Sequence, residues 1–436
     1  MSWNPKYIIL ILSTTLVSYI SALLIEKQRS HTGKKLILAV ALILCLGTLF
    51  FFKYFNFFSE NIVAVFNLFS LKLHPVTLNL ILPVGISFYT FQTLGYVIDV
   101  YRGGVKAERH LGTYAVFISY FPQLVARPIE RSENLLHQIK EEKIFNYENA
   151  TYGLKLMAWG FFKKLAIADV LAQYVDAAYA SLPTCTGFDL VCAILLFTFQ
   201  IYCDFSGYSD IAIGTSKLLG IELMTNFKSP YFSGSIKEFW NRWHISLSTW
   251  FRDYVYIPLG GNRCSKVRHC LNLMITFLIS GLWHGASWTY VIWGGIHGAA
   301  LSIESLIHTK SDKIGRLKKV VSTLLVFIFC NFAWIFFRAE SFEDALFVIT
   351  HIFIYLRTPG TFLENDINMS VIDLIKIIIT LLILAIYDYS AMKIDVIDYI
   401  SNKKPIFRWF IYFLLIWAIL FFMKVATSSE FVYFQF

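Results

Sequence analysis

Tyr7-Ile8-Ile9-Leu10-Ile11-Leu12-Ser13-Thr14-Thr15-Leu16-Val17-Ser18-Tyr19-Ile20-Ser21-Ala22-Leu23-Leu24-Ile25 contains no charged residue. A helix needs about 20 such residues to cross the hydrocarbon core of a bilayer. Similar apolar runs recur at Leu36–Phe52, Phe188–Cys203, Tyr290–Ser302, Val320–Phe337, Ile377–Tyr387 and Trp409–Met423. They do not alternate with period two, so they do not describe the strands of a membrane barrel. Several are shorter than a full span, which predicts tilted, re-entrant or half-crossing helices. The reading is an all-α polytopic membrane protein of about ten to twelve membrane helices.

Composition agrees. Of 436 residues, 57% are hydrophobic and 15% are charged, and 41 are phenylalanine. A soluble chain carries about 25% charged residues. So much apolar surface cannot be hidden in one core, and it excludes a soluble enzyme, a disulfide scaffold and a disordered chain. Tyr7–Ile25 is preceded by Lys6 alone and shows no small-x-small cleavage site before Lys27, so it reads as a retained first helix. No linker, repeat or low-complexity tract interrupts the sequence, which reads as one membrane domain, 1–436.

The net charge of +9 is clustered. Glu26–Lys35, Lys310–Lys319 and Lys393–Arg408 are rich in Lys and Arg and read as cytoplasmic loops that also meet lipid headgroups. No motif points to nucleic acid. The seven cysteines are scattered without a CxxC, so no metal site is expected.

The segment Phe227–Arg268 is the most informative polar interruption. Ile236, Trp240, Trp243, Leu247, Trp250 and Tyr254 recur at steps of four and three, one face of a continuous helix. Trp on one face and Glu238, Asn241, Thr249 and Arg252 on the other describe a helix lying at the membrane interface. His244 falls at the edge of the aromatic stripe. Ile257-Pro258-Leu259-Gly260-Gly261 must end the helix. Cys270–Trp283 follows without a charge, then Gly281-Leu282-Trp283-His284-Gly285. With Arg268 at the surface, His284 falls inside the membrane, where ionisable groups are costly and usually functional. An apolar setting favours the neutral imidazole, which can accept a proton. The alternative is a core histidine bonded to a neighbouring carbonyl. His297, one helix on, reads as a packing group. Asp204, Ser206 and Asp210, in the stretch Tyr202–Asp210, would either cap a following helix Ile211–Leu219 or pair with Arg242 or Arg252.

Together, Phe239-Trp240-Asn241-Arg242-Trp243-His244 through Tyr254, the continuation Tyr256-Ile257-Pro258-Leu259-Gly260-Gly261-Asn262-Arg263, and Gly281–Gly285 resemble the membrane-bound O-acyltransferase family. Leu82–Gln92, Asp99–Gly103, Tyr202–Asp210 and Phe431–Phe436 are similar to its bacterial branch, which includes the alginate O-acetyltransferase membrane subunit. Arg127 departs from that branch, which usually has glycine there.

The resemblance implies an acyltransferase with re-entrant and interfacial helices around a central tunnel, in the bacterial inner membrane. It implies His284 and His244 as catalytic residues, with Arg242, Trp243, Arg252, Asp253, Asn262 and Arg263 toward the donor, and Asp204, Ser206 and Asp210 behind them. No bound cofactor is implied; acetyl-CoA is the expected donor, drawn by Lys228, Lys237, Lys266 and Arg268 as well. The acceptor is an extracytoplasmic polysaccharide or cell-wall glycan, and a periplasmic or membrane-anchored acetyltransferase partner is expected. D-Alanyl transfer to teichoic acid, or an acyl conduit whose partner completes the transfer, are the alternatives. A transporter without covalent chemistry would show paired halves, and none is visible.

Overall fold

The computed structural model describes residues 7–123, 128–307, 315–355 and 369–423. Arg127 and Phe431–Phe436 lie outside them, as do residues 308–314 of the Lys310–Lys319 loop and its approach. Among the described residues the secondary structure is entirely helical, and the chain divides into two compact units, residues 1–145 with 219–224, and residues 146–218 with 225–436.

The first unit holds α1 (Ile8–Lys27), α2 (His31–Leu49), α3 (Phe55–Leu68), α4 (Ile86–Arg102), α5 (Leu111–Ser119) and α6 (Ser132–Lys140). Two polar contacts brace it: Tyr114 donates to Ser18 Oγ at 2.7 Å, and Lys140 pairs with the buried Glu108. α4 begins after Gly85 and ends at Gly103, both at φ +78°, which frees the chain to turn sharply at each end.

The second unit holds α7 (Tyr147–Phe161), α8 (Asp169–Ala180), α9 (Gly187–Leu218), α10 (Ile236–Arg242), α11 (Ile245–Phe251), α12 (Lys266–His284), α13 (Trp288–Ile307), α14 (Arg316–Arg338), α15 (Phe342–Tyr355), α16 (Val371–Ala391), α17 (Val396–Ser401) and α18 (Pro405–Phe422). All seven apolar runs fall within helices. Six described helical stretches are long and apolar enough to cross a membrane: Ile8–Lys27, His31–Leu68, Gly187–Leu218, Trp288–Ile307, Arg316–Arg338 and Pro405–Phe422. Their outward faces are strongly apolar, as lipid contact requires; Phe410, Phe413, Ile416 and Leu420 of α18 are exposed. The chain is a multi-pass membrane protein.

Two helix pairs bring backbones into contact. α7 and α9 cross through Gly153 against Gly214 and Gly160 against Gly207, where an added Cβ would come within 2.5–2.8 Å of the facing carbonyl oxygen. α12 and α13 do the same: a Cβ on Gly281 would meet the Tyr290 carbonyl oxygen at 2.2 Å, and one on Gly294 the Phe277 carbonyl oxygen at 2.2 Å. Small residues permit such approach, and dispersion over the contact replaces the hydrophobic force that lipid cannot supply.

The structure corrects three expectations. First, Ile236–Tyr254 is not one helix. It breaks at His244, whose φ of +44° lies in the left-handed region. The groups freed by the break find partners: Lys228 N donates to Arg242 O, and Asn226 accepts from Ile245 N on its carbonyl and from Ser246 N on Oδ1. After α11 a π turn, Arg252–Tyr256, leads to Gly260 and Gly261, both at positive φ.

Second, the tryptophan face is not laid against lipid headgroups. Trp240, Trp243 and Trp250 are buried in protein, and Trp243 stacks on Phe239 with centroids 5.5 Å apart and meets Phe227 and Trp334 at 5.1 Å. Third, Asp204, Ser206 and Asp210 neither cap a helix nor pair with Arg242 or Arg252. α9 runs through them without interruption, and lysines of the α7–α8 connection hold them.

Candidate functional site

α12 carries His284 as its last residue. Ser265 caps the other end, its Oγ accepting from Arg268 N. From Arg268 to His284 the helix rises about 24 Å, most of a bilayer core. The two glycines near His284 serve packing: Gly281 admits the Tyr290 backbone, and a Cβ on Gly285 would strike the Tyr290 ring at 2.2 Å. The histidine ring is thus held against α13 and α14, with Trp293 at 5.0 Å and Phe337 at 5.3 Å between ring centroids.

His244 is completely buried, not at the boundary between stripe and water. Its ring meets Phe205 of α9 at 4.6 Å and Trp283 of α12 at 6.2 Å. Trp283 also lies 5.0 Å from the His284 ring. The two histidines that the sequence singles out, 40 positions apart in the chain, therefore share one aromatic neighbour. Both rings stand among aromatic side chains: Phe205 and Trp283 beside His244, and Trp283, Trp293 and Phe337 beside His284.

A cleft of about 570 Å³ opens between α10, α11, α12 and α13. Lys237, Arg252, Asn262, His269, Glu304 and Ser305 line its polar end. Ile245, Leu247, Thr276, Phe277 and Ser280 line the rest. Along α12 the lining residues His269, Leu273, Thr276 and Ser280 keep to one face at steps of four, three and four. One more step of four reaches His284. The cleft thus runs about 16 Å along the helix, from His269 to Ser280, and stops one turn short of the histidine.

The remaining sequence candidates separate. Arg252 and Asn262 line the cleft, and Arg252 Nε donates to Asp253 Oδ1 at 2.7 Å. Arg263 is exposed on the adjoining loop. That loop is pinned to α12 by Asn272, whose Nδ2 donates to Gly261 O at 3.0 Å. Arg242 points elsewhere, to Glu238 Oε1 at 2.6 Å and Met392 Sδ at 3.4 Å. Trp243 is buried in the aromatic core away from the cleft. Lys228, Lys266 and Arg268 are not in the cleft lining.

Asp204, Ser206 and Asp210 belong to a buried ionic cluster. Lys163 Nζ lies 2.7 Å from Asp210 Oδ2 and 2.9 Å from Ser206 Oγ. Lys164 Nζ lies 2.6 Å from Asp204 Oδ1 and 2.8 Å from Asp169 Oδ1. Both lysines stand in a π turn, Phe162–Ala168, pressed against α9 by the Gly160–Gly207 contact. Sequence reasoning missed them. The available signal was two adjacent lysines just after the apolar Ala158–Phe162, a place where cations need buried carboxylates. Asp204 neighbours Phe205 in the chain, so the cluster also fixes the ring that packs on His244.

One end of the second unit is basic. Glu304, near the end of α13, accepts from Ile236 N at 2.7 Å, while Arg242 of the same helix α10 reaches Met392 after α16. α10 thereby joins α13, near the polar end of the cleft, to the end of α16, which leads into Lys393–Arg408.

The sequence model of the membrane-bound O-acyltransferase family matches residues 108–342, a span that includes both histidines and the whole cleft. The chain is 38% identical over 374 residues to the peptidoglycan O-acetyltransferase of Helicobacter pylori, covering 80% of this chain and 70% of that one. It is 38% identical over 393 residues to the probable alginate O-acetylase AlgI of Azotobacter vinelandii, covering 88% and 76%. Similarity extends to the teichoic acid D-alanyltransferase of Streptococcus thermophilus, 30% identical over 292 residues, covering 60% and 67%. With its helical membrane architecture, this places the chain in the membrane-bound O-acyltransferase family, as an acyltransferase.

Proposed function

We propose that this enzyme moves an acetyl group from a cytoplasmic thioester, acetyl-CoA, to hydroxyls of an extracytoplasmic polysaccharide or cell-wall glycan. The observation that carries the reading is the alignment of the cleft with His284 along one face of α12. The thioester's phosphates meet Lys237 and Arg252 at the basic end, and its pantetheine arm lies along the apolar wall toward Ser280. His284 takes the proton of the acceptor hydroxyl as its oxygen attacks the thioester carbonyl. The C–S bond then breaks, and the thiolate leaves with the proton from His284. A positioned base of this kind contributes about 10²–10⁴-fold. His244, across Trp283, orients the thioester end. The enzyme sits in the inner membrane and works with a periplasmic or membrane-anchored acetyltransferase partner.

Acetyl is favoured over D-alanyl because identity to the two O-acetyl relatives is 38%, against 30% to the D-alanyltransferase. The test is transfer of labelled acetyl from acetyl-CoA in inverted membrane vesicles, with a D-alanyl carrier protein in a parallel arm. Label in glycan or on the partner supports the reading. Turnover only with the carrier protein overturns the donor. Labelled enzyme accumulating without acceptor points to the conduit.

A further inference from the structure

His297 takes no part in the transfer described above. It is buried on α13 among Phe239, Trp240, Phe277, Trp293 and Phe329, with centroids 5.0–6.4 Å away. One polar contact enters this cage: Trp240 Nε1 lies 3.2 Å from His297 Nδ1. An indole N–H can only donate, so Nδ1 accepts and the imidazole proton sits on Nε2. Among the described residues Nε2 has no hydrogen-bond partner. The ring is therefore spent on one task, supplying an acceptor to Trp240. Trp240 in turn forms the cleft wall together with Phe277, whose ring it meets at 4.9 Å. In the orientation the structure shows, His297 Nδ1 satisfies the indole N–H. An orientation that gives up this bond leaves the indole N–H unpaired in addition to the imidazole N–H, or swings the ring into the cleft.

We infer that His297 is a positioning residue for the donor: its hydrogen bond to Trp240 fixes the indole as the wall along which the pantetheine arm lies. This rests on the donor reading of the cleft. The histidine is a latch on a wall and acts through Trp240, so its loss shows in donor binding rather than in the chemical step.

The experiment is a double-mutant cycle in membranes, with acetyl-CoA titrated at saturating acceptor. His297→Leu removes the acceptor at similar volume. His297→Gln keeps one in its amide oxygen. Each is made alone and with Trp240→Phe, whose ring has no N–H to satisfy. Expected is a rise in donor KM of about fivefold for His297→Leu, the scale of one unsatisfied buried donor, with kcat within about twofold. His297→Gln restores the wild-type KM, and in the Trp240→Phe background Leu and Gln are equivalent. An equal effect of Leu in both backgrounds overturns the latch, as does Gln behaving like Leu. If His297→Leu fails to accumulate, accumulation of the double variant with Trp240→Phe supports the latch, and loss of both overturns it. The same coupling appearing in acceptor KM, with donor KM unmoved, keeps the latch and instead removes the donor from this cleft.

Discussion

Ser280 and His284 stand one turn apart on the same face of α12, and the cleft ends at Ser280. The only step left between cleft and histidine is one helical turn, about 5.4 Å. An acyl group delivered through the cleft must pass Ser280. Ser280→Phe should therefore cut turnover at least tenfold while donor KM stays within about twofold, because the phosphate end is untouched. Ser280→Ala should be nearly silent. Initial rates against acetyl-CoA decide it; full turnover in the Phe variant would mean that the acyl group takes another route.

His284→Ala should abolish transfer, by about 10²–10⁴-fold or more, with membrane abundance near normal. His244→Ala should reduce turnover less. Its backbone at φ +44° is strained for any residue with a Cβ except Asn or Asp, so His244→Asn separates backbone from ring. Product by mass spectrometry, normalised to immunoblotted enzyme, gives the ranking. Normal product from His284→Ala would remove it as the base.

Arg252 lines the cleft and Arg263 does not. Arg252→Gln should raise donor KM several-fold, and Arg263→Gln should raise it less. The difference should shrink between low salt and about 0.5 M salt, where screening falls to a few ångströms. A fall in kcat at constant KM for Arg252→Gln would assign that arginine to the fold or the chemistry.

Two basic segments, Lys310–Lys319 and Lys393–Arg408, follow α13 and α16 in the chain, and α10 bonds to Glu304 of α13 and to Met392 at the end of α16. Single cysteines in each should react with an impermeant maleimide only in inverted vesicles. Labelling of either from outside intact cells would reverse the orientation and put the cleft mouth on the wrong side for CoA.

Much of this was legible because its physics is local. Every apolar run became a helix, and the charge-free stretch after Arg268 led to a helix that ends at His284. The errors were of two kinds. Periodicity cannot register one left-handed residue, so the break at His244 was invisible; it is enforced by Asn226, outside the periodic segment. Hydropathy cannot tell a tryptophan buried in protein from one facing lipid, since both surrounds are apolar. That is why the Trp240–Trp243–Trp250 face read as interfacial. The partners of Asp204 and Asp210 lie more than three dozen residues upstream, and the α7–α9 crossing brings them together.

That crossing sets up the last prediction. Lys163 and Asp210 form a buried pair 2.7 Å apart, with Ser206 as a second acceptor. Lys163→Met leaves the half-buried Asp210 carboxylate without its cation. Breaking such a pair costs about 3–5 kcal/mol, whereas replacing both members by neutral groups is often nearly free. Lys163→Met should thus lower membrane abundance and the thermal aggregation midpoint in detergent, and Lys163→Met with Asp210→Asn should recover most of both. Activity then separates structure from chemistry. If the pair only braces α7 against α9 behind Phe205 and His244, the recovered double variant transfers acetyl at close to the wild-type rate. An abundant, thermally normal but inactive double variant would show that this charge pair takes part in the reaction itself, and the purely bracing role would have to be abandoned.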